Sequence, residues 1–192
     1  MPRDGASVRK RLQLAALQLF QEAGYEVTTA AQIAAKAGVT ERTFFRHFSD
    51  KREVLFDGEH LLSAGLVGAI AGADPHLGPW ETLFQAFRAV EPFFIENRDF
   101  SEPRRRIIAS SATLQERAQT KMSALVASTT LALSERGVPR ATAALAAQIG
   151  IAALARAFDS WTESTGTLDS HLVQAFQEIR DLTTPLNSGS VR

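Results

Sequence analysis

Residues 24–55 read "GYEVTTAAQIAAKAGVTERTFFRHFSDKREVL", and the punctuation of this stretch decides the fold. The Thr28-Thr29 pair offers hydroxyls of the kind that cap a helix N-terminus. Gly38 supplies a left-handed residue for a sharp corner, and Thr40 opens a second short helix. Ala34, four residues before the corner, is small enough for close helix approach, and Ile33, Val39, Phe44 and Phe48 supply apolar contacts. Two short helices joined by "KAGVT" have the spacing of a DNA-binding helix-turn-helix.

Placed around a helix at about 100° per residue, Phe44 and Phe48 fall together on an inner face. Arg42, Thr43 and Arg46 lie opposite, with Phe45 and His47 on the flanks. Outward side chains of this kind read a major groove, where arginine pairs with guanine and a threonine methyl touches thymine. The flanks would meet the sugar-phosphate walls. Lys51, in the first turn of the next helix, would share a phosphate with the free N–H groups there. Any one of these charges, taken singly, reads better as a solvated face; their combination with a glycine corner and an inner apolar pair favours DNA.

Here the sequence resembles the TetR (tetracycline-repressor-like) transcriptional regulators, from about Arg9 to Leu62, through "AALQLFQEAGYEVTTAAQIAAKAGVTERTFFRHFSDKREVL". Position by position, the resemblance implies that Thr29, Thr40, Thr43, Phe45, His47 and Lys51 lie at the DNA backbone, with Glu41, Arg42 and Ala30 toward the bases. The helix-face reading instead turns Thr43 and Arg46 toward the bases, and with Glu41 and Arg42 they make the expected base-reading set: Glu41, Arg42, Thr43 and Arg46. Phe45 stands where the family usually has tyrosine, so a phosphate-directed hydroxyl is lost while the ring can still pack against sugar. Arg3, Arg9, Lys10 and Arg11 precede or open the first helix, in position for backbone or minor-groove contacts. The resemblance further implies a dimeric repressor, or less often an activator, on a palindromic operator, with a variable second domain that binds a small molecule. The partners expected are double-stranded operator DNA, a small-molecule effector and a second copy of the chain.

The 192 residues carry 21 basic and 21 acidic side chains, so total charge names no partner. Residues 1–53 hold nine basic against six acidic groups, which makes that segment +3 and the remainder −3. There is no cysteine, which excludes disulfides and thiolate chemistry. No export signal is legible near the start. The most membrane-like run, residues 141–158, is alanine-rich and holds Thr142, Gln148 and Arg156, so it reads as a buried or interface helix. A soluble cytoplasmic protein with no membrane partner is the expectation.

Apolar residues recur at helical spacing throughout, and no stretch reads as strand-rich. The fold class expected is all-α: an N-terminal three-helix helix-turn-helix DNA-binding domain plus a larger helical ligand-binding and dimerisation domain. Residues 1–50 form the first, 51–70 a connecting helix, and 71–192 the second, with "AGADPHLGPW" (71–80) as the hinge. The first helix is expected over Ser7–Ala23. The second runs from the Thr29 cap to before Gly38, the third from Thr40, and the fourth over Asp50–Ile70, opened by an Asp50/Glu53 capping box. Later helices are expected at Pro79–Asn97, kinked at Pro92, then Pro103–Ser110, Ala112–Arg136, Arg140–Ser164 and Leu168–Leu182. The tail "TTPLNSGSVR" is expected to fray.

In the second domain Trp80, Phe84 and Phe87 make an aromatic stripe. Ordinary core is the plain reading of each aromatic. A bend at Pro92 would open a cavity lined by Phe84, Phe87, Phe94, Ile108, Met122, Leu125, Phe158 and Trp161, suited to a hydrophobic or aromatic effector, with Glu91 and Gln115 as conceivable polar anchors. The helix over 140–164 is apolar on nearly all sides. Its Ala144, Ala147, Ile151 and Leu154, with Leu172, Phe176 and Ile179 of the last helix, give the expected dimer interface, a four-helix arrangement across a twofold axis.

An enzyme is the main alternative. The sequence has no G-x-S-x-G, no phosphate loop, no dinucleotide turn and no H-E-x-x-H, and His47, His60, His76 and His171 lack ligand spacing. No catalytic residue, cofactor or metal is therefore expected.

Overall fold

The computed structural model describes residues 3–183, with side chains for 5–182. Among these residues the chain is all-α, as expected, and strand-free: α1 (Arg3–Ala23), α2 (Ala30–Lys36), α3 (Glu41–His47), α4 (Glu59–Gly72), α5 (Pro79–Ala89), α6 (Glu91–Glu96), α7 (Arg98–Ala109), α8 (Ala112–Glu135), α9 (Arg140–Glu163) and α10 (Leu168–Thr183). The Arg3 side chain and the tail from Thr184, on which two sequence expectations fall, lie outside the described residues.

The chain divides into two compact units. The first takes Met1–His60 and Asn97–Met122, the second Leu61–Glu96 and Ser123–Arg192. Residues 97–122, which the sequence assigns to the second domain, thus pack with the first. The 71–80 segment is not a hinge but part of the second unit, where the Arg136 guanidinium donates to the carbonyls of Ile70 (3.0 Å), Ala73 (2.7 Å) and Asp74 (2.7 Å). One cation thereby closes the free carbonyls at the end of α4.

The expected fourth helix from Asp50 does not form as one element. Residues 51–58 run as turns, and Gly58 adopts φ 85° before α4 starts at Glu59. Half of the capping box is present, because Asp50 Oδ1 accepts from the N–H of Arg52 (2.7 Å) and Glu53 (3.2 Å). The other half is missing, because the Glu53 carboxylate accepts instead from Arg117 (2.8 Å) and Lys121 (3.2 Å), 64 and 68 residues away. Nearby, Arg104 donates to the Leu55 carbonyl and to Glu59 Oε1 (3.0 Å), with its guanidinium 5.2 Å from the Phe56 ring centroid. Burial pushes the Glu59 carboxyl up and the Arg104 guanidinium down, yet each offsets the other's charge. The turn segment is held by ion pairs to residues on α7 and α8.

In the first unit Leu12, Ala15, Ala16 and Phe20 of α1 enclose Ile33, Ala34, Phe44 and Phe48, with Leu55, Ile107 and Leu114 completing the core. In the second, α5, α9 and α10 meet. Gly150 makes this possible, since a Cβ there would come within 2.8 Å of Leu83 Cδ1 and 3.4 Å of Phe87 Cε2. Arg88 Nε lies 2.5 Å from Asp169 Oδ1, and Glu91 Oε1 accepts from the Asp169 N–H at 3.2 Å. Glu91 therefore helps cap α10.

Proline acts in two ways. Before Pro92 the expected kink becomes a break, with α5 ending at Ala89 and α6 starting at Glu91, because proline brings no N–H and crowds the preceding turn. Pro103, expected to open a helix, sits inside α7.

Candidate nucleic-acid interface

The corner between α2 and α3 is built by backbone chemistry that the sequence names. Thr29 caps α2 through a reciprocal box: its hydroxyl accepts from the Gln32 N–H at 3.2 Å, and its own N–H donates to Gln32 Oε1 at 2.8 Å. The box partner is glutamine, at the third helical position. At the other end Gly38 adopts φ 69°. The N–H groups of Gly38 and Val39 reach the carbonyls of Ala35 (3.1 Å) and Ala34 (3.0 Å), closing the helix C-terminus. Thr40 then caps α3, its hydroxyl accepting from the Thr43 N–H at 3.2 Å.

This corner fixes which way α3 faces. Phe44 is fully buried, 5.7 Å from the ring centroid of Phe48. Glu41, Arg42, Phe45 and Arg46 are exposed on the other side, and Thr43 is half-buried with its hydroxyl 3.0 Å from that of Thr40. Neither Arg42 nor Arg46 has a hydrogen-bond or ion-pair partner among the described residues. A seven-residue helix thus presents two uncommitted guanidinium groups beside an exposed carboxylate and an aromatic ring. The arrangement suits readout of base edges and packing on sugar.

Three other basic groups are placed differently. The three donors of Lys51 Nζ go to the carbonyls of Tyr25 (2.7 Å), Glu26 (3.1 Å) and Thr28 (2.9 Å), and the ammonium stands 4.3 Å from the Tyr25 ring centroid. Rather than opening a helix toward phosphate, it pins the loop that delivers Thr29 to α2. Burial pushes the Tyr25 phenol up to about 12. Arg9 makes a two-pronged pair with Asp57, both distances 2.6 Å, and lies 4.8 Å from the Phe48 ring centroid. That bonding holds the Arg9 guanidinium even more firmly charged.

His47 turns Nε2 inward, buried and without a hydrogen-bond partner among the described residues. It lines a cavity of about 170 Å³ with Arg9, Ser49, Asp57, His60 and Lys121 among its walls. Burial lowers the affinity of its ring for a proton, and Arg46 and Arg9 lower it further, against Asp57. Of the expected backbone set, Thr29, Thr40 and Phe45 are exposed, and His47 is half-buried. The pairing of Arg9 with Asp57 was hidden because 48 residues separate the partners. Only the periodicity of α1, which places Arg9 and Gln13 on one stripe, hints at it; Gln13 also donates to Asp57 at 3.1 Å.

The second-unit expectations divide. Phe84, Phe87, Phe94, Leu125, Phe158 and Trp161 belong to its core or pack against it, with Phe94 and Phe158 ring centroids 5.3 Å apart and Phe158 and Trp161 5.9 Å apart. Ile108 and Met122 do not join them. Ile108 packs in the core of the first unit, and Met122, also of that unit, is exposed. The expected dimer face needs a larger correction. Ala147, Ile151, Leu154, Leu172 and Phe176 are buried in the chain's own core, and Ala144 and Ile179 are half-buried. The five buried side chains are already covered within the chain and are not open to a partner, which leaves only Ala144 and Ile179 of the expected face partly accessible.

A short, capped second helix facing outward from a helix-turn-helix corner is the geometry that DNA-binding units use. Residues 14–57 match the model of the bacterial regulatory proteins, tetR family. The HTH-type transcriptional regulator TcmR of Streptomyces glaucescens is 39% identical over 82 residues, which take in 43% of this chain and 36% of TcmR. The chain spans only about a third of the length of the curated relatives it matches. Over nearly the whole chain the fold is that of Thermus thermophilus FadR, a TetR-family transcriptional repressor in complex with lauroyl-CoA (TM-score 0.54, 24% identity, 92% of this chain and 95% of that one). It is also that of NalD, the secondary repressor of the MexAB-OprM multidrug efflux pump in Pseudomonas aeruginosa (TM-score 0.58, 20% identity, 93% and 96%).

Proposed function

We propose that the chain is a transcriptional regulator, in the first instance a repressor, which binds a palindromic operator as a homodimer in the cytoplasm and is released by a small hydrophobic effector. The observation that carries this reading is the outer face of α3, where Arg42 and Arg46 stand exposed and unpaired while Phe44 anchors the opposite face. A cation left without a local partner on a short, rigidly capped helix is suited to base edges and phosphates. Glu41, Arg42, Thr43 and Arg46 read bases in this proposal, and Thr29, Thr40 and Phe45 touch the backbone.

The dimer reading now rests on a different face. α9 is long and apolar enough to cross a membrane by composition, yet only 39% of its most apolar window is buried. Its exposed stripe runs Ala141, Leu145, Gln148, Ala152, Arg156, at the spacing of one helix side. Leu145 is 58% exposed. A mostly uncharged stripe of this kind suits a second copy, whose own stripe would meet it across a twofold axis. The effector reading is supported by the aromatic character of the second unit and by the ligand that FadR holds.

The test is retention of duplex from the chain's own promoter region at moderate salt against random competitor, with mass in solution measured in parallel. Sequence-preferring binding by a dimer, falling steeply with salt, is the expected result. Equal affinity for promoter and random duplex, together with failure to enrich any sequence from a random pool, would sink the reading.

A further inference from the structure

We infer that His47 is a proton-dependent contact to the operator backbone: neutral, its ring lodges against the polar cavity of the first unit, and protonated, it turns outward to a DNA phosphate, so that operator binding takes up a proton. This rests on the operator-binding reading and adds to it a residue and a pH dependence.

The ring stands at a border. His47 is the last residue of α3, and the chain leaves the helix at Phe48 in extended form. The ring is half-buried, between the fully buried Phe44 on one side and the exposed Arg46 on the other. Its Nε2 is buried with no hydrogen-bond partner among the described residues, although buried polar atoms in native proteins are nearly always paired. Nothing inside therefore holds the ring by a hydrogen bond at that atom.

The surrounding charges decide which form of the ring stays inside. Arg46 precedes it on α3. Arg9 reaches the same cavity from α1, Glu53 and Asp57 from the turn segment, His60 from α4 and Lys121 from α8. Both carboxylates are committed elsewhere. Asp57 accepts from Arg9 twice at 2.6 Å and from Gln13 at 3.1 Å, and Glu53 accepts from Arg117 at 2.8 Å and Lys121 at 3.2 Å. An inward imidazolium would thus find no uncommitted carboxylate while standing among the cations Arg9, Arg46 and Lys121. Burial accordingly holds the free ring's proton affinity below the usual histidine range, with Arg46 and Arg9 acting in the same direction and Asp57 against it.

A phosphate beside α3 reverses this balance, because it offers an acceptor and an opposite charge at the exposed rim. Proton affinity is then higher in the complex than in the free protein. By linkage, DNA affinity rises as pH falls through the bound-state midpoint, by at most about tenfold per pH unit for one proton. It levels off below the free-protein midpoint, where both states are already protonated.

The test follows the ring and the DNA separately. NMR titration of the imidazole Cε1–H, assigned with His47→Gln, should place its midpoint about one pH unit or more higher in the promoter-duplex complex than in the free protein. Anisotropy of labelled duplex at fixed salt should show wild-type affinity rising about fivefold or more between about pH 8.5 and pH 6, with circular dichroism unchanged. His47→Gln, which cannot take the proton, should match wild type at the alkaline end and lose the acid gain. His47→Lys should bind at the alkaline end as tightly as wild type does at the acid end. His60→Gln, an exposed change at the rim of the cavity, should keep the wild-type profile. A His47 midpoint that DNA leaves unmoved, or an equal acid gain in His47→Gln, would overturn the inference, and the wild-type midpoint decides the matter even where a variant fails to fold. Sequence-preferring binding with a flat pH profile would remove this inference alone; absence of sequence preference at every pH would remove the operator reading with it.

Discussion

α3 and α9 are both two-faced helices, and their outer faces have opposite chemistry. α3 has seven residues with one fully buried anchor, Phe44, and its outer face carries Glu41, Arg42 and Arg46. α9 has 24 residues, buries eight of them, and between Arg140 and Arg156 its outer face is uncharged. The difference separates two kinds of partner: exposed cations without local pairs suit a polyanion, whereas an exposed uncharged stripe suits another helix. It also separates two kinds of support. α9 is held by many small contacts along its length, while α3 depends on one ring and two caps.

The comparison breaks most visibly if that single ring is removed. Phe44→Ala should cost about 3–5 kcal/mol, because the cavity lies in a fully packed site. Urea unfolding followed by Tyr25 fluorescence, in a tryptophan-free background, would report it, since Tyr25 shares that core. A loss below about 1 kcal/mol would mean that the caps alone hold α3.

Lys51→Ala comes next. Three carbonyls lose a charged donor, and hydrogen bonds to charged groups contribute about 1.5–3 kcal/mol, so destabilisation of that order is expected. Arginine should restore little, since a planar fork does not reproduce three donors from one point. The dependence of DNA affinity on salt should stay unchanged. Were that slope instead to fall by about one with stability intact, Lys51 would be the phosphate ligand that its sequence position suggests.

Arg42→Ala sharpens the comparison from the other side. Its side chain is exposed and unpaired, so the fold should change by no more than about 0.5 kcal/mol. Discrimination at one operator position should fall by about 1–3 kcal/mol in competition with single-base variants. Uniform loss across every position would reassign Arg42 from bases to backbone.

Local signals made the first unit legible. Thr29, Gly38 and Thr40 act within four residues of themselves, and the Phe44/Phe48 repeat declares its face without tertiary knowledge. What was hidden is set by long-range pairing. Glu53 is three residues after Asp50 and reads as half of a box, but Arg117 and Lys121 offer it stronger electrostatic partners than a backbone N–H. The second unit misleads for a related reason. An almost uniformly apolar helix shows no periodic contrast, so Ala147, Ile151 and Leu154 could not be told from the Leu145 stripe until Gly150 fixed which side meets α5. The cavity beside His47 brings Arg9 and Lys121 together from distant parts of the chain, and no pattern along either helix announces it.

Leu145→Glu has the smallest expected effect on the protomer's fold and tests the other half of the comparison. Leu145 is 58% exposed, so a carboxylate there stays solvated in the single chain and should change its helicity by little. In a dimer built on the α9 stripe, two such carboxylates would approach each other across the twofold axis in an apolar setting, where both repulsion and lost hydration oppose association. Sedimentation should therefore show a concentration-dependent shift from dimer to monomer with circular dichroism preserved. Ala147→Glu serves as the contrast, because that position is fully buried within the chain; it should unfold the second unit rather than merely separate copies. If Leu145→Glu remained dimeric at every concentration, the uncharged outer face of α9 would not be the surface that recognises a second copy.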